Sequence, residues 1–227
     1  QYDDLTNALR DVNTALDKYK RKEKSGKEKS HRLRANIYLA LQDREKAMYD
    51  FERALKLNPK NLELLLERAD AFYENHDYAN AEKDYYTALH IDPAEGRIYA
   101  GLSRVEMAQE KWDAARFCLD KLIRLSPDYV TGYEYRAILE YKTRNYDKAI
   151  DDILRAYILS DEDADILDRF FRYAEMNLDL AVAMVSEMIR QRGAKGNGYF
   201  IRAGLYEKKN QLALAIGDYN KMMELAD

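Results

Sequence analysis

Pro59, Pro93 and Pro127 are the only prolines in the 227-residue chain, and each stands 34 residues from the next. Ala47, Ala81, Ala115 and Ala149 keep the same interval in phase with them. A period of 34 is the length of a helix–turn–helix unit that cannot bury its apolar face alone and stacks on neighbouring copies. Such an array is built to present a surface, so the class of function it predicts is binding.

The rest of the composition agrees. Charged residues make up 34% of the chain and there are nine glycines, which suits helices joined by short connections. A net charge of −4 gives no global attraction for nucleic acid, and no nucleic-acid partner is expected. Cys118 is the only cysteine, which excludes a disulfide framework and a cysteine-based zinc site. A reducing cytosol and a cysteine-poor bacterial envelope are both compatible with that usage. No apolar run approaches the roughly 18 residues of a membrane span.

One unit shows the local logic. Leu33, Ile37, Tyr38 and Leu41 recur at helical spacing, and Ala47, Phe51, Ala54 and Leu55 do so in a second helix. Asn58-Pro59 ends it, because proline disfavours the helical conformation in the residue before it. The pattern predicts a leading half-repeat over 1–20 and a lysine-rich linker over 21–27. Repeats come next over 28–61, 62–95, 96–129 and 130–163, then a degenerate repeat over 164–195 and a last one over 196–227. In the fourth repeat Asp161 stands where proline is expected. In the fifth, Ala181 comes 32 residues after Ala149 rather than 34, and Phe170-Phe171 stand where a small residue belongs. Small residues in the first helices (Ala35, Ala69, Ser103, Ala137, Ala203) let backbones approach, while Phe51 and Tyr85 fill the space between units.

The stretch from Ala47 to Pro59, with its alanine–aromatic–alanine series and closing proline, resembles the tetratricopeptide repeat family, as does Tyr78 to Pro93. The resemblance implies an all-α, right-handed superhelical solenoid of antiparallel helix pairs whose first helices line a concave groove. It also implies a noncatalytic scaffold that binds a peptide or protein segment there. Glu106 and Glu140 depart from it, since an aromatic is usual at their place. The alternative is an assembly or spacer module of a larger envelope or multidomain protein. The chain starts midway through a repeat and stops without a polar capping helix, so continuation of the parent protein or self-association through open repeat ends is expected.

Projected from the family pattern, the groove-facing residues are Lys29, Arg32 and Asn36, then Glu63, Glu67, Asp70 and Tyr73. Arg97 and Arg104 come next, and then Glu134, Tyr135, Ile138 and Tyr141. These bands are either solvated helix faces or a groove matched to a peptide of mixed charge. Some relatives clamp a C-terminal carboxylate with lysine, asparagine and arginine. Arg32, Asn36 and Arg97 match part of that set, but Glu67 and Gly101 do not, and Glu67 would repel a carboxylate. RNA-reading helical repeats carry small polar residues where this chain has Arg32, Leu66, Ala100 and Glu134.

No catalytic constellation emerges, and no enzyme activity, cofactor or metal is expected. His31, His76 and His90 never pair at i, i+4. The run Gly193 to Gly198 lacks a phosphate-loop pattern and reads as an inter-helix loop. Cys118 takes a second-helix position that holds aspartate elsewhere (Asp11, Asp50, Asp84, Asp152, Asp218), which predicts a partly exposed thiol. The segment Lys18 to Lys29, with seven basic and two acidic residues, reads as a helix end and solvated loop, or as a contact for an anionic partner. Many of the 19 tyrosines, Tyr38, Tyr85, Tyr206 and Tyr219 among them, fall on the packing positions of the repeat.

Overall fold

The computed structural model describes residues 2–19, 23–192 and 196–225, which form thirteen helices and no strand. The chain divides into two compact units, 1–111 and 112–227. The first contains α1 (Tyr2–Lys18), α2 (Lys24–Ala40), α3 (Arg44–Leu57), α4 (Leu62–Glu74), α5 (Tyr78–Ile91) and α6 (Gly96–Ala108). The second contains α7 (Trp112–Leu125), α8 (Val130–Lys142), α9 (Tyr146–Leu159), α10 (Ala164–Ala174), α11 (Leu178–Arg192), α12 (Gly196–Lys208) and α13 (Leu212–Glu224). The fold is an all-α helical repeat, and each helix packs chiefly on its neighbours in sequence.

Turn chemistry sets the hairpins. Gln42, His76, Glu110, Arg144 and Asn210 are left-handed, with φ of 57 to 64°. Each lets the next amide reach back five residues, as Asp77 N donates to Phe72 O at 2.9 Å and Asn145 N to Glu140 O at 2.8 Å. Asp43 and Asp77 then cap the next helix by accepting from the amides of Lys46 and Asn80. Asp161 has a φ of 56°, which the proline ring cannot adopt; this is why the proline series stops there.

The small residues behave as their spacing predicts: Ala35, Ala69, Ser103, Ala137 and Ala203 are all fully buried. So are Ala47, Ala81, Ala115 and Ala149, and Phe51 and Tyr85 fill the space beside them. Each such large side chain contributes roughly 1.5–3 kcal/mol through burial.

A second interaction recurs on the same beat. Arg34 pairs with Asp50, Arg68 with Asp84, Arg136 with Asp152 and Arg202 with Asp218, always first helix to second and always 16 residues apart. Both carboxylate oxygens are used, at 2.6–2.8 Å, and the four aspartates are buried. His31 also reaches Asp50, with Nδ1 2.7 Å from Oδ1. Three of the arginines reach further, to Asn13, Asp120 and Ser186 on the preceding second helix. The equivalent positions in the third repeat hold Leu102 and Cys118, both buried. Cys118 is therefore not the partly exposed thiol that its aspartate-like position predicts: both members of the pair are exchanged for less polar side chains.

Glu106 and Glu140, which replace the usual aromatic, are also buried. Glu140 accepts from Arg116 Nε at 2.8 Å and from Asn145 at 2.7 Å. Burial alone would raise its pKa, but those donors outweigh it and hold Glu140 below the usual carboxylate range. Glu106 has no such arginine. Its equivalent neighbour is Glu82, with Lys111 Nζ 3.4 Å from each carboxylate. Glu106 Oε2 and nearby Gln109 Nε2 are buried without a hydrogen bond. Burial raises the Glu106 pKa, Lys111 opposes that, and Glu82 reinforces it.

Two segments differ from the sequence reading. Lys24 to Lys29, expected as linker and solvated loop, are the first residues of α2; Glu28 there is buried and accepts from Asn61 at 2.9 Å. Gly196 to Gly198, expected as loop, open α12. Gly198 packs so closely on Ile189 that an added Cβ would lie 2.6 Å from it. Residues 20–22 and 193–195 of those two segments lie outside the described residues, as do Ala226 and Asp227. The fifth repeat is where regularity fails. Phe170 is fully buried in the place of the small residue, the turn at 175–177 has no left-handed residue, and α10 barely touches α11. The contacts of α10 with α9 and of α11 with α12 are kept, as other second helices pack on the first helix that follows.

These buried groups make measurable contributions. Asp84→Cys leaves Arg68 unpaired and costs roughly 2–3 kcal/mol, less than for a fully sequestered pair because Arg68 is 21% exposed. Adding Arg68→Leu, which copies the third repeat, recovers most of that loss in a urea-melt double-mutant cycle. The two glutamates respond to pH with opposite sign. The raised pKa of Glu106 means that stability is gained as pH falls through its folded pKa, so Glu106→Gln stabilises at pH 7 and the benefit fades in acid. The lowered pKa of Glu140 means that its stabilisation is present above the unfolded carboxylate pKa and lost as pH falls through the folded value. Glu140→Gln therefore costs about 1–3 kcal/mol at pH 7 and little in acid, read from melting midpoints across pH.

Candidate protein-binding surface

The projected groove residues lie on first helices, and within each compact unit the fold brings them into contact. Equivalent positions of successive first helices are 34 residues apart, so side chains at that spacing meet across the helix pair. In the first unit Arg32 of α2 donates to both oxygens of Glu67 on α4, from Nε at 3.0 and 2.9 Å and from Nη2 at 2.5 Å. Asn36 adds a bond of 3.3 Å to the same carboxylate. Glu63 of α4 accepts from Arg97 of α6 at 2.6 and 3.1 Å, and Glu95 also engages Arg97. Asp70 accepts from Arg104 at 3.2 Å and from the Tyr85 hydroxyl at 2.7 Å, while Arg104 also donates to Glu74 at 2.7 Å. The Arg104 guanidinium lies 4.1 Å above the Tyr73 ring, a cation–π contact. Lys29 is exposed at the start of this row.

The order of charge is thus basic on α2, acidic on α4 and basic on α6, each row partnered by the next. The bands are visible in the sequence, but their mutual pairing is not. Opposite charges do recur at 34–35 residue separation, yet spacing alone does not say that the side chains point at each other. Arg32 and Asn36, two residues of the partial carboxylate-clamp match, are both bonded to Glu67. Gly101 is closed from behind, because a Cβ there would fall 2.2 Å from the Tyr85 ring.

Electrostatics match the geometry. Hydrogen bonds from Arg97 hold the carboxyls of Glu63 and Glu95 below their usual pKa, against the effect of partial burial. Both stay ionised at neutral pH.

In the second unit, Glu134, Tyr135, Ile138 and Tyr141 lie on α8 and are half-buried. Glu134 accepts from Arg169 of α10 at 2.7 Å, a separation of 35 residues that continues the ladder rule. Tyr141 stacks on Tyr173 of α10, with centroids 4.2 Å apart and planes 12° from parallel, and Tyr146 meets Tyr141 edge-on at 5.4 Å. Arg169 and Tyr173, absent from the projected set, belong to this surface; the irregular fifth repeat hid their register. Leu66 and Ala100, at the base-reading places of RNA-binding repeats, are buried. Among the described residues no cluster of three metal-ligating side chains is found, and no helix is long and apolar enough to cross a membrane.

Comparison with known proteins agrees with this architecture. Family models for the tetratricopeptide repeat match residues 28–61 and 72–137. Hsp70-Hsp90 organizing protein 3 of Arabidopsis thaliana is 23% identical over 156 residues, 68% of this chain and 28% of that protein. Human tetratricopeptide repeat protein 6 is 35% identical over 121 residues, 51% of this chain and 23% of that protein. The chain therefore spans about a quarter of the length of these curated relatives. A tetratricopeptide repeat protein from Parabacteroides merdae superposes with a TM-score of 0.68 at 18% identity, covering 99% of this chain and 88% of the other, a likeness of fold. With its 34-residue comb, its helical hairpins and these matches, the chain carries tetratricopeptide repeats, which generally serve as noncatalytic scaffolds for protein interaction.

Proposed function

We propose that this chain is a noncatalytic scaffold holding a segment of another protein against its first helices, with the ladder on α2, α4 and α6 as the face that reads charge. The observation that carries this is the partial exposure of the ladder. Arg97 and Glu63 are 49% and 43% exposed, and Asp70 is 53% exposed. Exposed pairs of this kind contribute about 0–1 kcal/mol each. A partner can therefore exchange them for its own charges at small cost, and a pattern of alternating sign selects a segment of matching alternation. The stacked Tyr141 and Tyr173 give the second unit an aromatic platform for apolar side chains. A free C-terminal carboxylate is disfavoured beside Glu67.

The test separates stability from recognition. Charge exchange by Arg32→Glu with Glu67→Arg keeps an internal ion pair while inverting the surface. Its melting temperature is expected within about 3 °C of wild type, since exposed pairs contribute little. Its recovered partners, in pull-downs from the native organism, are expected to be lost, as for an Arg32/Arg97/Arg104 charge reversal. Partners retained by both variants would move recognition off this face.

A second reading, an assembly module that self-associates, is favoured by α13. Ile216 and Met223 are 60% and 55% exposed, and Leu212 continues the stripe. Their counterparts on α9 at the same repeat position, Ile150 and Tyr157, are buried in the cluster that also holds Phe170 of α10. An apolar stripe of this kind fits a helix of a second copy. Sedimentation velocity checks it: concentration-dependent association that Ile216→Lys abolishes supports the reading, and a strictly monomeric wild type removes it.

A further inference from the structure

Leu154 and Ile158 lie on a part of α9 that the other second helices leave to polar residues or tyrosine. At the place of Leu154 the other regular repeats carry Glu52, Tyr86, Asp120 and Asn220, and at that of Ile158 they carry Lys56, His90, Arg124 and Glu224. The change is confined to the repeat that precedes the irregular one. Across from it, α11 places Met184 where a regular repeat has the buried aspartate of its arginine pair, with Met188 one turn on. The loosened fifth hairpin leaves these two second helices facing each other across a groove of about 520 Å³. Leu154, Ile158 and Leu159 form one wall and Met184 and Met188 the other. The rims carry Asp151 and Arg155 on α9, and Glu187 and Gln191 on α11.

We propose that this groove, distinct from the first-helix surface, is a docking site for an amphipathic helix of a partner protein. Each wall is a pair of apolar residues at i, i+4, one turn apart, which is the surface a helix matches with its own i, i+4, i+7 stripe. The same molecule uses the arrangement internally: α10 lays Ile166 and Phe170 in one apolar cluster with Ile150 and Ile153 of α9. Two methionines make one wall adaptable in shape without loss of contact. The rim sets the sign of the flank. Glu187 is bonded to Arg190 and Gln191, so the charges left on the rim are exposed Asp151 at one end of the groove and, one turn on, exposed Arg155. A docking helix therefore carries lysine or arginine beside the first residue of its stripe, opposite Asp151, and no cation opposite Arg155.

The probe is a fluorescein-labelled, alanine-based 16-residue helical peptide with leucines at i, i+4 and i+7 and lysine beside the first. Its anisotropy is measured with the full chain. Wild type is expected to bind it, and to bind a double-proline version that cannot form the helix at least about 10-fold more weakly. Ala183→Trp, at an exposed rim position, is expected to fill the groove and abolish binding with the melting temperature unchanged. Asp151→Lys is expected to weaken the lysine-flanked peptide about 5-fold and to favour a glutamate-flanked one. No binding by wild type, equal binding of the proline peptide, or binding unaffected by Ala183→Trp each overturns the proposal. A concentration-dependent dimer that Ala183→Trp dissolves would give the groove to a second copy, and also overturns it.

Discussion

The arginine–aspartate pair that crosses four of the five regular hairpins, 16 residues from first helix to second, is the constraint on which the rest depends. Alanines on both helices bring the backbones close, and that approach takes the aspartate out of water. A buried carboxylate without a partner costs several kcal/mol, so the fold tolerates it only where a guanidinium meets both oxygens. That fork fits one rotation and one offset of the helices. The apolar surface supplies most of the stabilisation, and the pair selects which apolar packing is reached. Where the arginine extends to Asn13, Asp120 or Ser186, the same group also fixes the preceding second helix.

The first-helix face uses the same chemistry at lower burial, with a different result. Arg32–Glu67, Glu63–Arg97 and Asp70–Arg104 are well-formed pairs, but water competes for them and screens them. Buried pairs are decided by structure alone, whereas exposed ones can be renegotiated when a partner arrives. One repeat thus carries a fixed pair within its hairpin and exchangeable pairs toward its neighbours. Stability and recognition are separated by depth rather than by residue type.

In the fifth repeat the pairing rule is suspended, and the packing changes with it. Its turn lacks the left-handed residue, Phe170 takes the place of the small residue, and Met184 replaces the aspartate. Arg169 belongs to the first-helix ladder and pairs with Glu134. Without the fork the α10–α11 hairpin is loose, while α9–α10 and α11–α12 keep the packing that other second helices make with the first helix that follows. The apolar groove between α9 and α11 is a consequence of this loosening, and Leu154 and Ile158 are the sequence's adjustment to it.

Much of this was legible in the chain. The proline and alanine comb determined the helices and their order, because periodicity of apolar and small residues is a local property that any packed arrangement must respect. The weak fifth repeat was visible as a 32-residue interval. The aspartate column was visible too, but its partner was not, since opposite charges 16 residues apart acquire meaning only when two helices bring them together. Lys24 to Lys29 and Gly196 to Gly198 read as loop because composition favoured it, yet contacts of Glu28 and Gly198 with neighbouring helices place both stretches in helix. By itself, then, the sequence determined what repeats, how often and where it falters. Which charges are buried and fixed, and which stay exposed and exchangeable, only the tertiary structure decided, because burial belongs to the surroundings of a residue and not to the residue.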